Sequence, residues 1–337
     1  MSRAAARLGA AAWLLCGCVA PAFARPPDAA GEEPAKAAFE ARLQLDNDDF
    51  DFWIPPDERP DFGYTHGTRL DVDLLGAPRW LRKLPPRWLM GDGPRGEAPS
   101  FALRLRQEIY APWELPPDRP YAGWLEIAVG LARRSPESRR ELLLHVGVTG
   151  PPSLAGKTQD YFHHQFERGP EPDWSQQLPA EPGIGLEWNA ATQVLALGGS
   201  PGWLWRLGPS AGARLGTFAI DARAGLETSG GWNPPAAWGG AVRPGNAFSL
   251  YVLAAPHVDF IARDEFLDGT LFRGSESVDS RPVVPESEVG VGVGWFGIRA
   301  EARVMRRGKE FERQPGPHTY GSLRLGYGQP AAPDPRP

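Results

Sequence analysis

Residues 101–109 read FALRLRQEI, and the order of apolar and charged side chains in that stretch decides the fold class. Phe101, Leu103, Leu105 and Ile109 fall on one face of an extended chain, and Arg104, Arg106 and Glu108 on the other. A period of two means a strand, because successive side chains leave a pleated backbone on opposite sides. In YTHGTRLDVDLL (64–75), Leu70, Val72 and Leu74 oppose Arg69, Asp71 and Asp73. The same alternation places Thr65 with the charged set and His66 with the apolar one. WLEIAVGLA (124–132) sets Leu125, Ile127, Val129 and Leu131 against Glu126, Ala128 and Gly130, and ELLLHVGV (141–148) sets four apolar residues against His145 and Gly147. SAGARLG, TFAIDARAGLE, SLYVLAAPHVDFIA, VGVGVGWFGIRAEARVMRR and TYGSLRLGYG repeat the pattern.

Alternation alone also fits a soluble sandwich wetted on one face. Two features favour a membrane barrel. The polar faces carry charges and glycines, as a crowded wet lumen requires, and Tyr64, Tyr110, Trp124, Tyr251, Trp295, Tyr320 and Tyr327 lie near strand ends, where interfacial girdles form. Short connections such as SPES (135–138) and the turn at 215–217 alternate with long ones at 49–63, 150–182 and 266–287, the rhythm of short periplasmic and long extracellular connections expected of a membrane barrel. The expectation is an all-β protein, a transmembrane antiparallel β-barrel of about 12 strands spanning residues 38–328, with a short helix in an extracellular loop. An even strand number closes the sheet without an edge. Residues 76–99 interrupt the rhythm and read as an amphipathic insertion on the periplasmic side, and 329–337 as a disordered tail.

Past the N-terminus no apolar run reaches the ~18 residues a spanning helix needs, and a mean hydropathy of −0.37 does not exclude a barrel, whose lipid face is hidden in alternation. Residues 1–24 have a basic start, an apolar middle and a small-x-small end at Ala22-Phe23-Ala24, the form of a secretory signal peptide. LLCGC also admits acylation at Cys18, although AFA fits simple cleavage better. Cleavage near Ala24 leaves a cysteine-free chain with a flexible leader over 25–37. The chain has 337 residues and a net charge of −5 without a basic tract, so nucleic acid is not an expected partner.

The sequence contains no Gly-x-Ser-x-Gly elbow, no Cys/His metal spacing and no phosphate loop. Histidine, carboxylates and amides remain, a set suited to water activation beside a bound cation. LDNDDFD (45–51) gathers four aspartates around Asn47, either a solvated acidic loop start or part of a hard-cation site. GPPSLAGKTQDYFHHQF (150–166) interrupts the strands with a helical pattern. Gln159 and His163 are four apart and share a helix face, whereas His164 falls on another. Such a helix is either an inert loop element or one that holds a general base over the barrel mouth.

These motifs, with WSQQLPAEPGIGLEW, GPSAGARLG, RRGKEFERQ and YGSLRLGYG, occur in an order that resembles the outer-membrane lipid A 3′-O-deacylases from about Phe39 to Tyr327. The resemblance implies a Gram-negative outer-membrane location and a site at the extracellular end. It also implies a carboxylic ester hydrolase that removes the 3′-O-linked acyloxyacyl chain of lipid A. The cofactor it implies is Ca²⁺, with a His-activated water in the manner of a secreted phospholipase A2. Carried over by position, it assigns His163 as base, with Gln159, Thr65 and Asn47 as catalytic companions. Asp48, Asn47 and a loop carboxylate become metal ligands, the carboxylate being Glu171 or, alternatively, Glu167. On this reading the helix carries the base across the mouth. The chain departs from the family pattern at Asp46, where Glu is usual, and at His66, where an amide is usual. It also ends in QPAAPDPRP instead of an aromatic residue. Lipopolysaccharide and outer-membrane lipids are the expected partners. The rivals are a calcium-dependent phospholipase with the same fold, a catalytically silent structural or transport barrel, and a soluble periplasmic β-protein.

Overall fold

The computed structural model describes residues 37–50, 62–74, 76–85, 87–91, 99–113, 118–166, 173–199, 201–235 and 247–330. The expected signal peptide and nearly all of the leader and tail lie outside those residues. The strands are β1 (Ala37–Asn47), β2 (Gly63–Leu74), β3 (Ser100–Ala111), β4 (Ala122–Arg134), β5 (Ser138–Thr149), β6 (Pro182–Thr192) and β7 (Leu195–Gly198). They continue as β8 (Trp203–Gly216), β9 (Ala219–Trp232), β10 (Ser249–Ala254), β11 (His257–Asp264), β12 (Val283–Trp295), β13 (Ile298–Arg307) and β14 (His318–Pro330).

Each strand pairs antiparallel with its sequence neighbour, and β14 pairs with β1 from Ala37↔Pro330 to Asn47↔Gly321, which closes the sheet. Two of the fourteen segments are continuations. β6 and β7 lie end to end against β8, and β10 and β11 lie end to end between β9 and β12, so the closed barrel has twelve strands. Pro256, which has no N–H to give a ladder, sits in the break between β10 and β11. Both described ends of the chain, Ala37 and Pro330, lie at one end of the barrel; the other end is called the mouth here.

The outer face is apolar. Leu105, Ile127, Val146, Leu186 and Val291 are exposed, Ile127 at 50%. The inner face holds buried charge in mutual compensation. Asp73 accepts from Arg42 (3.2 Å), Arg104 (2.7 Å) and Arg134, and Glu126 accepts from Arg106 (2.8 Å) and Trp124 (2.7 Å) and bonds His145 (3.1 Å). This is the register that the alternation in 64–75, 101–109 and 124–132 dictates.

Three expectations are corrected. Trp124, Tyr251 and Tyr320 are buried and Tyr64 and Tyr110 half-buried, so they are not a lipid girdle. Tyr64 bonds Asp46 and Tyr251 bonds Glu301 inside the lumen, because a phenol can satisfy a buried carboxylate as well as an interface. Of the expected set, Trp295 and Tyr327 are exposed at the terminal end, where Trp203, Trp205 and Trp232 are exposed as well. Second, the short turn at 215–217 lies at the mouth, and residues 75–99 and 233–248 make long connections at the terminal end, so loop length does not sort by end. Third, β14 runs to Pro330, two residues into the expected tail.

Trp124, Phe218, Phe266 and Leu178 form a buried cluster below the mouth, with Tyr110 stacked on Phe266 at 4.9 Å. At the terminal end Ala77 and Met90, the latter closing the short helix α1 (Arg87–Met90), pack on Leu131 beside Leu81, Phe101 and Leu142. Trp188 donates to Leu89 O (3.0 Å) and Arg140 to Trp88 O (3.2 Å), which holds this segment on the outer wall with Trp80, Leu84 and Trp88 exposed.

Ile127 sits midway along β4 on the exposed face. Ile127→Arg is expected to destabilise the barrel by about 2–4 kcal/mol, the cost of an arginine near the bilayer midplane. Reversible urea unfolding in lipid vesicles measures it, and an unchanged midpoint would contradict the outward assignment.

Candidate active site on the outer wall

The helix α2 (Ala155–Phe166) follows a tight approach from β5. Gly150 has φ of +69°, and a Cβ there would come within 2.6 Å of Ala180 N and Leu178 O, so only glycine fits. Ser153 Oγ donates back to Gly150 O (2.6 Å), and Gln107 on β3 donates to Ser153 O (2.8 Å). Gly123 on β4 provides the seat: a Cβ there would lie 2.2 Å from Ala155 Cβ and 2.3 Å from Ser153 Oγ. Gly123, Gln107 and Ile109 alternate with the lumen residues Trp124, Arg106 and Glu108, so they face outward. Ile109, on the lipid-facing side, is nevertheless fully buried. The helix therefore lies against the outside of the barrel at the mouth-side rim, and the expectation that it crosses the mouth is corrected.

Along α2 the buried residues are Ala155, Gln159 and His163, spaced by four, while Lys157, Tyr161, His164 and Gln165 are exposed. The face pressed on the wall is thus partly polar. Gln159 Oε1 accepts from the Trp174 indole N–H (3.0 Å), and Trp174 packs on Tyr121 (5.1 Å) and over Gly156. Farther along the helix, Phe162 meets His66 of β2, ring centroids 4.9 Å apart.

A β-bulge at Thr65 supplies the facing wall. Tyr64 points into the lumen, where its hydroxyl reaches Asp46 (3.0 Å). Gly67 points there too, since a Cβ on it would strike Tyr64 and Asp46. Two inward residues three apart leave both Thr65 and His66 on the outer side. This overturns the inward assignment of Thr65: one extra residue shifts the alternation by one. Thr65 is buried with Oγ1 3.4 Å from Ile109 O, and His66 Nε2 bonds Thr68 Oγ1 (2.9 Å). Asn47 pairs with His66 across the ladder and donates to Thr65 O (3.1 Å). Asp48 follows in a short turn, buried, and Phe50 packs where Gly321 of β14 has no side chain.

Asn47, Asp48, Thr65 and His66 thus gather on the outer rim, next to the helix that turns Gln159 and His163 toward the wall. Glu171 and Glu167 lie outside the described residues. Asn47 and Asp48 offer the oxygen donors a hard cation takes, so the donor chemistry fits Ca²⁺. Among the described residues, the one cluster of three convergent His, Asp or Glu groups is His257, Asp259 and Glu286 in the lumen, and Arg307 bridges its two carboxylates at 2.9 and 2.5 Å. A guanidinium in that position already neutralises the cluster. Sequence reasoning missed Trp174 as the partner of Gln159 and Gly123 as the seat of the helix; the only sequence signal for the latter was a residue without a side chain on the apolar face of β4.

Residues 11–328 match the family described as "Outer membrane protein LpxR". The chain belongs to the LpxR family of outer membrane proteins. It is similar in fold to LpxR from Salmonella typhimurium, with a TM-score of 0.67 and 17% identity over 86% of this chain and 99% of that one. Lower likenesses are to the β-domain of the Bordetella autotransporter BrkA, with a TM-score of 0.44, 10% identity and 87% and 99% of the two chains covered, and to the NanC porin, with 0.33, 6%, and 87% and 100%. No curated protein sequence matches.

The stem of the helical loop in this LpxR-family barrel holds a buried carboxylate pair. Thr149 N donates to Glu181 O (3.0 Å), and the Glu181 carboxylate accepts from Leu271 N (2.8 Å) and Phe272 N (3.1 Å). Burial, and then the neighbouring Glu181 charge, push the Glu265 carboxyl up to about 7. A carboxyl raised in the folded state binds its proton more tightly there than in the unfolded chain. Stability is therefore greatest below the unfolded value of about 4.3 and falls as pH rises toward 7. Backbone amides of 265–272 should show higher hydrogen-exchange protection at pH 5 than at pH 8 after correction for intrinsic rates. Glu265→Gln should level the two.

Gly123→Val must lift the helix. Overpacking costs about 1–3 kcal/mol, or roughly 5- to 150-fold in the local opening equilibrium. Faster tryptic cleavage at exposed Lys157, with heat-modifiable gel mobility unchanged, is the expected result.

Proposed function

We propose that this barrel is an outer-membrane esterase that hydrolyses the 3′-O-linked acyloxyacyl ester of lipid A. The observation that carries the reading is the polar helix face bearing Gln159 and His163, buried against the outer wall beside Thr65, Asn47 and Asp48. A hydrolytic set on the lipid side of the rim suits a substrate anchored in the membrane, which approaches sideways. The aromatic cluster of Trp124, Phe218 and Phe266 below the mouth weighs against the transport reading.

His163 takes a proton from water as the water oxygen attacks the ester carbonyl, and returns it to the departing sugar oxygen; histidine has the matching pKa range. Gln159, its carbonyl held by Trp174, presents its amide from the same helix face. Thr65 and Asn47 fix the wall on which the ester rests. Asn47 and Asp48, joined by Glu171 from the loop, would hold Ca²⁺. Bound there, the ion would supply polarisation of the ester carbonyl and charge stabilisation for the developing oxyanion.

His163→Ala should lower lipid A deacylation by roughly 10²–10⁴-fold, as loss of a general base does, with the barrel folded and His164→Ala close to wild type. Excess chelator should abolish activity without unfolding. Mass spectrometry of lipid A from cells with and without the protein reads the product directly. Equal effects at His163 and His164 would remove the assignment of the base, and release of fatty acid from glycerophospholipid instead of lipid A would replace the substrate.

A further inference from the structure

We infer that the lumen holds a binding site for a phosphate-type oxyanion between β13 and β14, apart from the hydrolytic site on the outer wall. Arg299, Glu301 and Arg303 point inward from successive inward positions of β13, and Arg324 is the ladder partner of Glu301 on β14. All three guanidinium groups converge on the one Glu301 carboxylate: Arg299 Nε at 3.3 Å, Arg324 Nη1 at 3.9 Å, and Arg303 in direct contact. Tyr251 also donates to Glu301 (2.5 Å), and Arg303 has a second acid in Glu288. In direct ion pairs among the described residues, three cations thus share two carboxylates.

The excess falls on Arg299 and Arg324. Arg324 donates through Nε and Nη2 to the neutral amide oxygen of Gln44, at 3.0 and 2.6 Å, and reaches the Glu301 carboxylate only at 3.9 Å. Arg299 is 4% exposed, and its Nη1 has no hydrogen-bond partner among the described residues. A buried guanidinium donor left unmatched costs free energy that an oxyanion would recover. On other walls of the lumen Arg139 is bidentate to Glu227, Arg214 meets Asp221 and Arg223 meets Asp259.

Arg299, Arg303, Arg324 and Tyr251 line a cavity of about 360 Å³. That volume accommodates a tetrahedral oxyanion with several waters, since one water occupies about 30 Å³ of liquid. Forked guanidinium donors select a multi-oxygen anion over a halide. Phosphate, free or as a phosphomonoester, has the oxygens and the charge to bridge Arg299 and Arg324.

The test is equilibrium dialysis of labelled inorganic phosphate against the full barrel in nonionic detergent, at constant ionic strength and with chelator present, so that calcium on the outer rim plays no part. One saturable phosphate per chain is expected, together with a phosphate-dependent rise in the thermal unfolding midpoint that chloride does not reproduce. Glycerol 3-phosphate competing for the same site would extend it to phosphomonoesters; failure to compete restricts it to the free ion. Arg299→Gln should weaken binding by about tenfold or more, as loss of a charge-assisted hydrogen bond does. Glu301→Gln, which removes the competing carboxylate, should tighten it. Arg324→Gln stands in if Arg299→Gln does not fold. Absence of saturable binding, equal protection by chloride, or unchanged affinity in the variants overturns the inference.

Discussion

The pairing of β14 with β1 is the constraint from which the rest follows. Hydrocarbon offers no water to an unpaired backbone group, so a strand can cross a bilayer only in a sheet without edges. Closure gives every strand two solvents, lipid outside and a wet lumen inside, and a slip of one residue would exchange them. Arginine and carboxylate must then compensate one another within the lumen, as Asp73 does with Arg42, Arg104 and Arg134. Such pairs add little net stability when complete, because desolvation offsets attraction, but losing one partner is costly. The network therefore guards register more than it adds to the folding free energy.

Where regular alternation is broken, the barrel gains features that a uniform sheet lacks. The bulge at Thr65 turns two consecutive polar side chains to the lipid side, which strict alternation forbids. Gly123 and Gly321 remove side chains from that same side, and the vacated space receives the N-terminal turn of α2 and the Cβ and backbone of Phe50. A polar site on an apolar wall thus depends on one extra residue in β2 and two missing side chains on its flanks.

Much of this was legible in the sequence, and the failures have identifiable causes. Period-two alternation reports strand and face directly, so Arg104, Asp73, Glu126, Leu105 and Ile127 sit where the pattern puts them. It is blind to a bulge, since a single inserted residue in YTHGT leaves no mark, and strict alternation therefore puts Thr65 on the wrong side. Helical spacing put Gln159 and His163 on one face and His164 on another, as they are, but spacing along a helix cannot say which surface the face meets. That information resides in Gly123, a residue recognisable as a seat only once Ala155 and Ser153 are seen against it. Tyr64 and Tyr251 show a related limit: an aromatic residue near a strand end belongs to a girdle or to a lumen network according to its partner, and Asp46 and Glu301 are remote in sequence.

The height of α2 on the wall joins the fold to the proposed chemistry. A general base needs water, whereas the acyl chains of its substrate need lipid, and only the boundary between the two supplies both. The helix is arranged for that boundary, with Lys157, His164 and Gln165 exposed on one side and Gln159 and His163 against the wall on the other. The ester bonds of a membrane-anchored amphiphile lie at the same depth, between a polar head and apolar tails. A base inside the lumen would have water but no route for the tails, given Trp124, Phe218 and Phe266 in the way. Lower on the outer wall, beside Ile127, it would have tails but no water. The rim between β2 and β4 meets both requirements, and there the chain departs from regular strand geometry to place polar groups.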